Sequence, residues 1–571
     1  MLPLCAAALF GCHGEVGSVG GGGGGGTDTT KLCAASDPTN VVSAQRIAFL
    51  TSTQYYNMLQ LISADGAKMI SDMEIFHVID DLVVRFPPPR AEQYHSIPDA
   101  DTLSPFNNTA QTMGNYVRDN FAAVTKCATP AQDSCATAYL NTLAAKAYRR
   151  PLTSDESTRF TNLYTNLKSQ IVNGYQVTLS VEEATGNAVY GLLMTPQLMW
   201  RWELGGSEVS TSPPGVYLTN YELASNISYM LTDQGPDDML LADAQAGTLR
   251  ANIGAHVDRI LKQQQSREWL RHIIEMYFFL NQLPATVIDA GKFPIVAGGA
   301  IFADLQHSSE LFLDDVMWNG KVMDLITARK AFVNTNLATM VYMVPVPAGA
   351  TDTNFVAAQL DPKYRAGIIT DAGFITSRAR STGVGLVPRG LGVKALFLCL
   401  NTPAPPNTGA AGDAVEAQKA DLANLTAQEQ VSYRQVTTPC NSCHPSFDPY
   451  GLVLDWYDVV GRYRTIDDLG KPVDGTTTLP ASVGGQKVTT AVELADVLTK
   501  SDLFTNCMSA TMLKYALLDD PIELPLPDGS QNGCAAAGVA HNLRISSGQS
   551  FTDLTKAVAT SPAFVLRQQV Q

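Results

Sequence analysis

Charge is what this sequence has least of. Only 16% of its 571 residues are Asp, Glu, Lys or Arg, against roughly 25% in an average soluble protein. Basic residues are the scarcer sign, 39 against 54 acidic, leaving a formal charge of −15. Such a chain has no sequence-independent grip on nucleic acid, which works by displacing counterions from phosphates. Long apolar runs are missing too, and none approaches the roughly 18 residues of a membrane span. Yet 45% of the residues are apolar, too many for intrinsic disorder outside one short stretch. Catalytic signatures are also absent. His77, His95, His256, His272 and His307 stand singly without an HExxH, and no G-x-S-x-G elbow occurs. Gly20 to Gly26 precedes no strand–helix unit that would cradle a phosphate. The doublets Asp237-Asp238 and Glu182-Glu183 read as solvated charge. No repeat recurs at fixed period.

What is present begins at the amino terminus. Met1 to Cys12 is apolar and ends in Leu9-Phe10-Gly11-Cys12, a tetrad resembling a bacterial lipobox, in which the cysteine becomes diacylated. The glycine run and the Thr-rich sequence to Thr30 suit a flexible tether. The basic n-region of a secretory signal is not there. The expectation is a lipid on Cys12 and a place in the cell envelope, either outer-membrane lipoprotein or periplasmic, with the membrane reached by the lipid alone. His13 after the lipid site, in place of Asp, favours the outer membrane by resemblance to sorted lipoproteins.

Ten cysteines occur. Setting aside Cys5, Cys12 and the pair Cys440 and Cys443 leaves an even six, which fits an oxidising compartment. Cys127 and Cys135 flank a turn-like Ala128-Thr129-Pro130 and form one expected bridge. Cys507 and Cys534, across a Pro- and Asp-rich loop, form the second. Cys33 and Cys399 are left over.

Most of the chain reads as helix, so the expected class is mainly α. Thr153 with Glu156, Thr219 with Glu222 and Thr490 with Glu493 have capping-box form. Gln264 to Leu280 is amphipathic, and Gly409 to Gln428 has the composition of a connecting helix. Only 463–479 reads as a short β-hairpin, on the turn signals Asp468-Leu469-Gly470 and Asp474-Gly475.

The most specific motif is Cys440-Asn441-Ser442-Cys443-His444. Two thiols three positions apart can reach the two vinyl groups of one haem as thioethers. The adjacent imidazole then meets the iron from the proximal face. Other readings of the pentad are a local disulfide, a zinc site needing a fourth ligand, or a thioredoxin-like redox pair needing a βαβ context.

After the pentad come Phe447-Asp448-Pro449-Tyr450-Gly451, Asp455-Trp456-Tyr457-Asp458 and Gly461-Arg462-Tyr463-Arg464. With Arg365-Ala366-Gly367, Ser377-Arg378 and Val387-Pro388-Arg389-Gly390 upstream, this block resembles the planctomycete cytochrome c-like domain. The resemblance extends over nearly the whole chain. It takes in Arg46-Ile47, Ala147 to Leu152 with Arg149-Arg150, Met194 to Gln197, Tyr221 to Ala224, Tyr515-Ala516 and Thr560 to Phe564. Departures are Leu517-Leu518 where Gly-Arg is usual and Thr195 where Ser is common. The implied organisation is a signal and tether at 1–30 and helical modules at 31–145, 146–205 and 206–345. A cytochrome c-like module at 346–480 and a carboxy-terminal helical module at 481–571 complete it.

The resulting expectation is an exported protein with one covalent haem c on Cys440 and Cys443, and His444 as proximal iron ligand. It passes single electrons to or from an unidentified redox partner. Met508 is the first candidate for the sixth ligand, with Met512 and His541 behind it. Phe504, Met508, Met512 and Tyr515 also fit plain core packing at helical spacing. Arg462, Arg464 and Arg389 are candidates for the haem propionates, or else braces for Asp455, Asp458 or Asp467. Trp456 reads as a haem-edge or core residue. Two alternatives stand beside this reading. One is a haem oxidase or peroxidase with an open distal site, and the other a cell-surface binding protein whose CxxCH is a structural disulfide.

Overall fold

The computed structural model describes residues 42–60, 100–173, 175–211, 213–400, 402, 422, 424–517 and 531–568. Cys12, Cys33 and the glycine tether lie outside these residues, as does most of the expected helix at 409–428. The described chain is mainly helical, as the composition and capping signals indicate. All three expected capping boxes form, at Thr153, Thr219 and Thr490. The amphipathic stretch becomes the helix Gln264–Phe278.

The chain divides into two compact units. One contains residues 42–270, 512–517 and 555–568. Its helices Ala100–Asp119 and Val181–Leu193 cross at Gly114 and Gly186. A Cβ on Gly114 would stand 2.6 Å from the Gly186 carbonyl oxygen, and one on Gly186 2.5 Å from that of Gly114. Only glycine allows backbones so close. Leu140, Leu143, Tyr164 and Leu192 complete the core beside this crossing. The same unit holds a four-stranded sheet in the order Ser43–Ala44, Leu566–Gln568, Pro214–Tyr217 and Val209–Thr211. A separate antiparallel pair joins Arg46–Phe49 to Trp200–Glu203.

The other unit contains residues 271–511 and 531–554. Here the helix Leu386–Leu398 lies against the short helix Asp448–Leu452, again through glycines. A Cβ on Gly390 would meet the Phe447 carbonyl oxygen at 2.3 Å, and one on Gly451 the Leu386 carbonyl oxygen at 2.2 Å. Arg389, fully buried, donates to the carbonyls of Leu454, Tyr457 and Asp458. That fork closes the turn following the short helix.

One expectation needs correction, and one takes a looser form. Cys127 and Cys135 are bridged, but Cys507 pairs with Cys399 and not with Cys534. Cys399 ends the helix Leu386–Leu398 in the left-handed region, at φ 53°. That places it with its Cα 5.3 Å from that of Cys507, although 108 residues separate them in sequence. The hairpin expected at 463–479 forms from turns and antiparallel bridges, without a continuous ladder. Asp467 accepts from the amides of Leu469 and Lys471 and makes the expected turn. The flanks, however, carry only the isolated bridges Tyr457 to Tyr463 and Ile466 to Pro472, because proline offers no ladder N–H. The paired strands are Thr477–Thr478 and Lys487–Val488.

Candidate functional site

The pentad is delivered by short turns. The helix Ala427–Val436 opens on a capping box between Thr426 and Glu429. Pro439, Pro445 and Pro449 then keep the chain from settling into a longer helix. Cys440–Ser442 and His444–Ser446 are each a single 3-10 turn, and the helix Asp448–Leu452 follows. Cys440 is buried, Cys443 is half-buried and both are thiols. Burial pushes the Cys440 thiol above its ordinary value, while the nearby Arg434 guanidinium opposes the rise. Cys440, Cys443 and His444 are strung along these turns. Among the described residues no three His, Cys, Asp or Glu side chains gather as a cage for a metal ion.

The organising residue is Asp448, buried completely. Its Oδ1 accepts from His444 Nδ1 at 3.0 Å, and its Oδ2 accepts from Arg434 Nε at 2.7 Å. Phe447 lies against the imidazole, with ring centroids 4.8 Å apart. The carboxylate therefore fixes both the tautomer and the rotation of His444, leaving Nε2 as the nitrogen able to ligate. Arg434 also reaches Gln430 at 3.3 Å, while its buried Nη2 has no partner among the described residues. Lys394 adds a further cation, donating from Nζ to Ser446 Oγ at 3.0 Å. Burial pulls its ammonium below its ordinary value, and the neighbouring Cys443 opposes this.

The arginines read as propionate partners or as carboxylate braces make these contacts. Arg462 donates to Asp458 at 3.0 Å. Arg464 holds Asp455 at 2.6 Å and Asp468 at 2.9 Å. Arg389 serves backbone carbonyls. Trp456 stacks on Tyr463 at an interplanar angle of 7° and donates to the Thr489 carbonyl. Met508 and Met512 are buried on the helix Leu503–Leu517, and Met508 directly follows the bridged Cys507. His541 is exposed on the helix Gln531–Ile545.

The sequence reading missed Arg434 and the role of Asp448. His444 and Asp448 stand four apart, a spacing that marked a pairing. Arg434 carried no signal, because its approach to the site depends on how the helix Ala427–Val436 packs.

Two family models match. PSD4, described as a protein of unknown function (DUF1592), matches residues 218–343. PSCyt3, also described as a protein of unknown function (DUF1588), matches residues 365–467 and so includes the pentad. Both are planctomycete cytochrome c-like domain families. No curated protein and no solved structure matches the chain. Among the described residues no helix is long and apolar enough to cross a membrane.

Proposed function

We propose that this chain is a c-type haem protein that moves single electrons to or from a redox partner. Cys440 and Cys443 would hold one haem as thioethers, with His444 as the proximal ligand. The observation carrying this reading is the 3.0 Å hydrogen bond from His444 Nδ1 to Asp448, which leaves Nε2 for a metal beside two cysteines at the attachment spacing. The donor set suits the group in chemistry: two thiols, one oriented imidazole, and the cations Arg434 and Lys394 available to a propionate. When bound, haem supplies a one-electron couple whose potential follows its axial ligands and surroundings. The same reading places the chain in the cell envelope, held there by a lipid on Cys12.

A second reading, a haem oxidase or peroxidase, draws on Asp448. A carboxylate on Nδ1–H makes the imidazole a more basic ligand, which stabilises the oxidised metal. That is a useful property where oxygen or peroxide is the substrate.

The deciding experiment is expression in a host with periplasmic haem-attachment machinery, followed by absorption spectra of the oxidised and reduced protein. Soret and α bands that are lost in the Cys440→Ser/Cys443→Ser double variant support the proposal. Their absence from the parent protein, or their survival in the variant, overturns it. A low-spin spectrum indifferent to cyanide marks electron transfer, and a high-spin ferric spectrum that shifts with cyanide marks the second reading.

A further inference from the structure

Among the described residues, the unit containing residues 42–270 has a buried excess of guanidinium over carboxylate. Glu203 is fully buried, and Arg46, Arg201 and Arg567 all donate to it, with Arg46 Nε at 2.8 Å and Arg201 Nη2 at 3.1 Å. Burial alone would push this carboxyl up, but Arg46, Arg567 and Arg201 together hold it well below the ordinary carboxylate range. It therefore supplies one negative charge to three guanidiniums. A fourth, Arg149, is also buried and shares the Tyr229 ring with Arg201, their guanidinium carbons lying 5.9 and 5.3 Å from its centroid. Asp233, the other buried acid near Arg201, is raised by burial to about 7 and brings only part of a charge at neutral pH. Buried cations in such excess are costly unless an anion meets them.

A cavity of about 320 Å³ opens on this cluster, with Arg149 and Arg201 in its wall. The four Nη hydrogen bonds of Arg149 go to Gln197, Leu198, Trp200 and Tyr229, so it contributes charge. Arg201 retains an Nε–H without a partner among the described residues. Arg150 also lines the cavity but is matched by Glu156 at 2.7 and 2.8 Å. The wall's own carboxylate, Glu222, is taken up by the amides of Thr219, Leu204 and Gly205. Tyr148, Trp202 and Tyr221 supply aromatic surface to the same wall.

We infer that this cavity is a binding site for a small organic carboxylate, its anionic end toward Arg201 and Arg149 and its ring against Trp202 and Tyr221. A planar carboxylate matches the guanidinium fork. The carboxylate of Glu222 in the wall favours a monoanion over a doubly charged phosphate. The volume also exceeds what a bare inorganic ion needs. The site is independent of the haem reading, since none of its residues belongs to the pentad or its neighbours.

The test is calorimetric titration of the full chain with benzoate, its neutral isostere benzamide, and inorganic phosphate. Saturable benzoate binding below about 10 mM, at least about tenfold tighter than benzamide or phosphate, is expected. Gln197→Glu adds a negative charge to the wall while leaving every arginine in place, and should weaken benzoate about tenfold or more. Gln197→Ala, without the charge, should change it less than about threefold. Circular dichroism establishes that both variants fold. Benzoate binding no better than benzamide, phosphate binding tighter than benzoate, or a Gln197→Glu protein that binds like the parent would each overturn the assignment.

Discussion

The Nδ1 nitrogen of His444 lies 3.0 Å from Oδ1 of Asp448, and Arg434 Nε lies 2.7 Å from the other oxygen of the same carboxylate. The imidazole is therefore tied, through one fully buried acid, to a guanidinium on a different helix. Replacing Asp448 tests what this link does. In the haem-loaded protein Asp448→Asn should raise the midpoint potential by roughly 60 to 120 mV, the one-electron equivalent of a ten- to hundredfold change in relative metal affinity. Arg434→Gln, which frees the carboxylate to bind His444 more strongly, should lower it. Spectroelectrochemical titration reads both. Shifts in the same direction would mean the carboxylate acts only as packing.

Gly390 governs how the helix Leu386–Leu398 meets the Phe447 turn. Gly390→Ala places a methyl where the Phe447 carbonyl oxygen would be 2.3 Å away. A loss of about 1–3 kcal/mol in denaturant unfolding is expected. Haem incorporation per chain should fall with it, because Phe447 adjoins Asp448 and packs on His444. Unchanged stability and incorporation would show that the helix moves aside freely.

The bridge between Cys399 and Cys507 closes a loop of 108 residues. On the chain-entropy account such a closure contributes about 4–5 kcal/mol. Cys507→Ser and Cys399→Ser should therefore each lower Tm markedly, and by similar amounts, under oxidising conditions. A Tm unchanged in both variants would show that the closure does not stabilise the fold.

Asp233 sets a pH dependence. Burial raises its carboxyl from 3.8 to about 7, against the opposing Gln54 hydrogen bond and Arg201 charge. Between these two values the folded chain keeps a proton that the unfolded chain has released. Its contribution to stability is thus full below about pH 4 and declines as pH rises to about 7, by about 4 kcal/mol in all. Asp233→Asn removes the titration, and asparagine tolerates the left-handed φ of 55° found there. Urea unfolding at pH 5 and pH 8 should show a smaller difference in the variant than in the parent. The same difference in both would place the proton elsewhere.

Local signals in the sequence carried through wherever the interaction itself is local. Thr153 with Glu156, Thr219 with Glu222 and Thr490 with Glu493 need only three residues of spacing to cap a helix, and all three do. Cys127 and Cys135 are eight residues apart and bridge across their own turn. The pairing of His444 with Asp448, four residues on, is of the same local kind.

What only the tertiary structure decided was every relationship that crosses the chain. The sequence left Arg462 and Arg464 between a propionate and a carboxylate brace, and the fold sets them against Asp458, Asp455 and Asp468. Arg434 came to the site unannounced, since a guanidinium fourteen residues from its carboxylate finds it only by helix packing. Cys507 found Cys399 instead of Cys534 for the same reason. The low overall charge with which the sequence is marked was known from composition alone. That four arginines are buried near a single ionised glutamate follows from Arg46, Arg149, Arg201, Glu203 and Arg567 meeting across more than five hundred residues of chain.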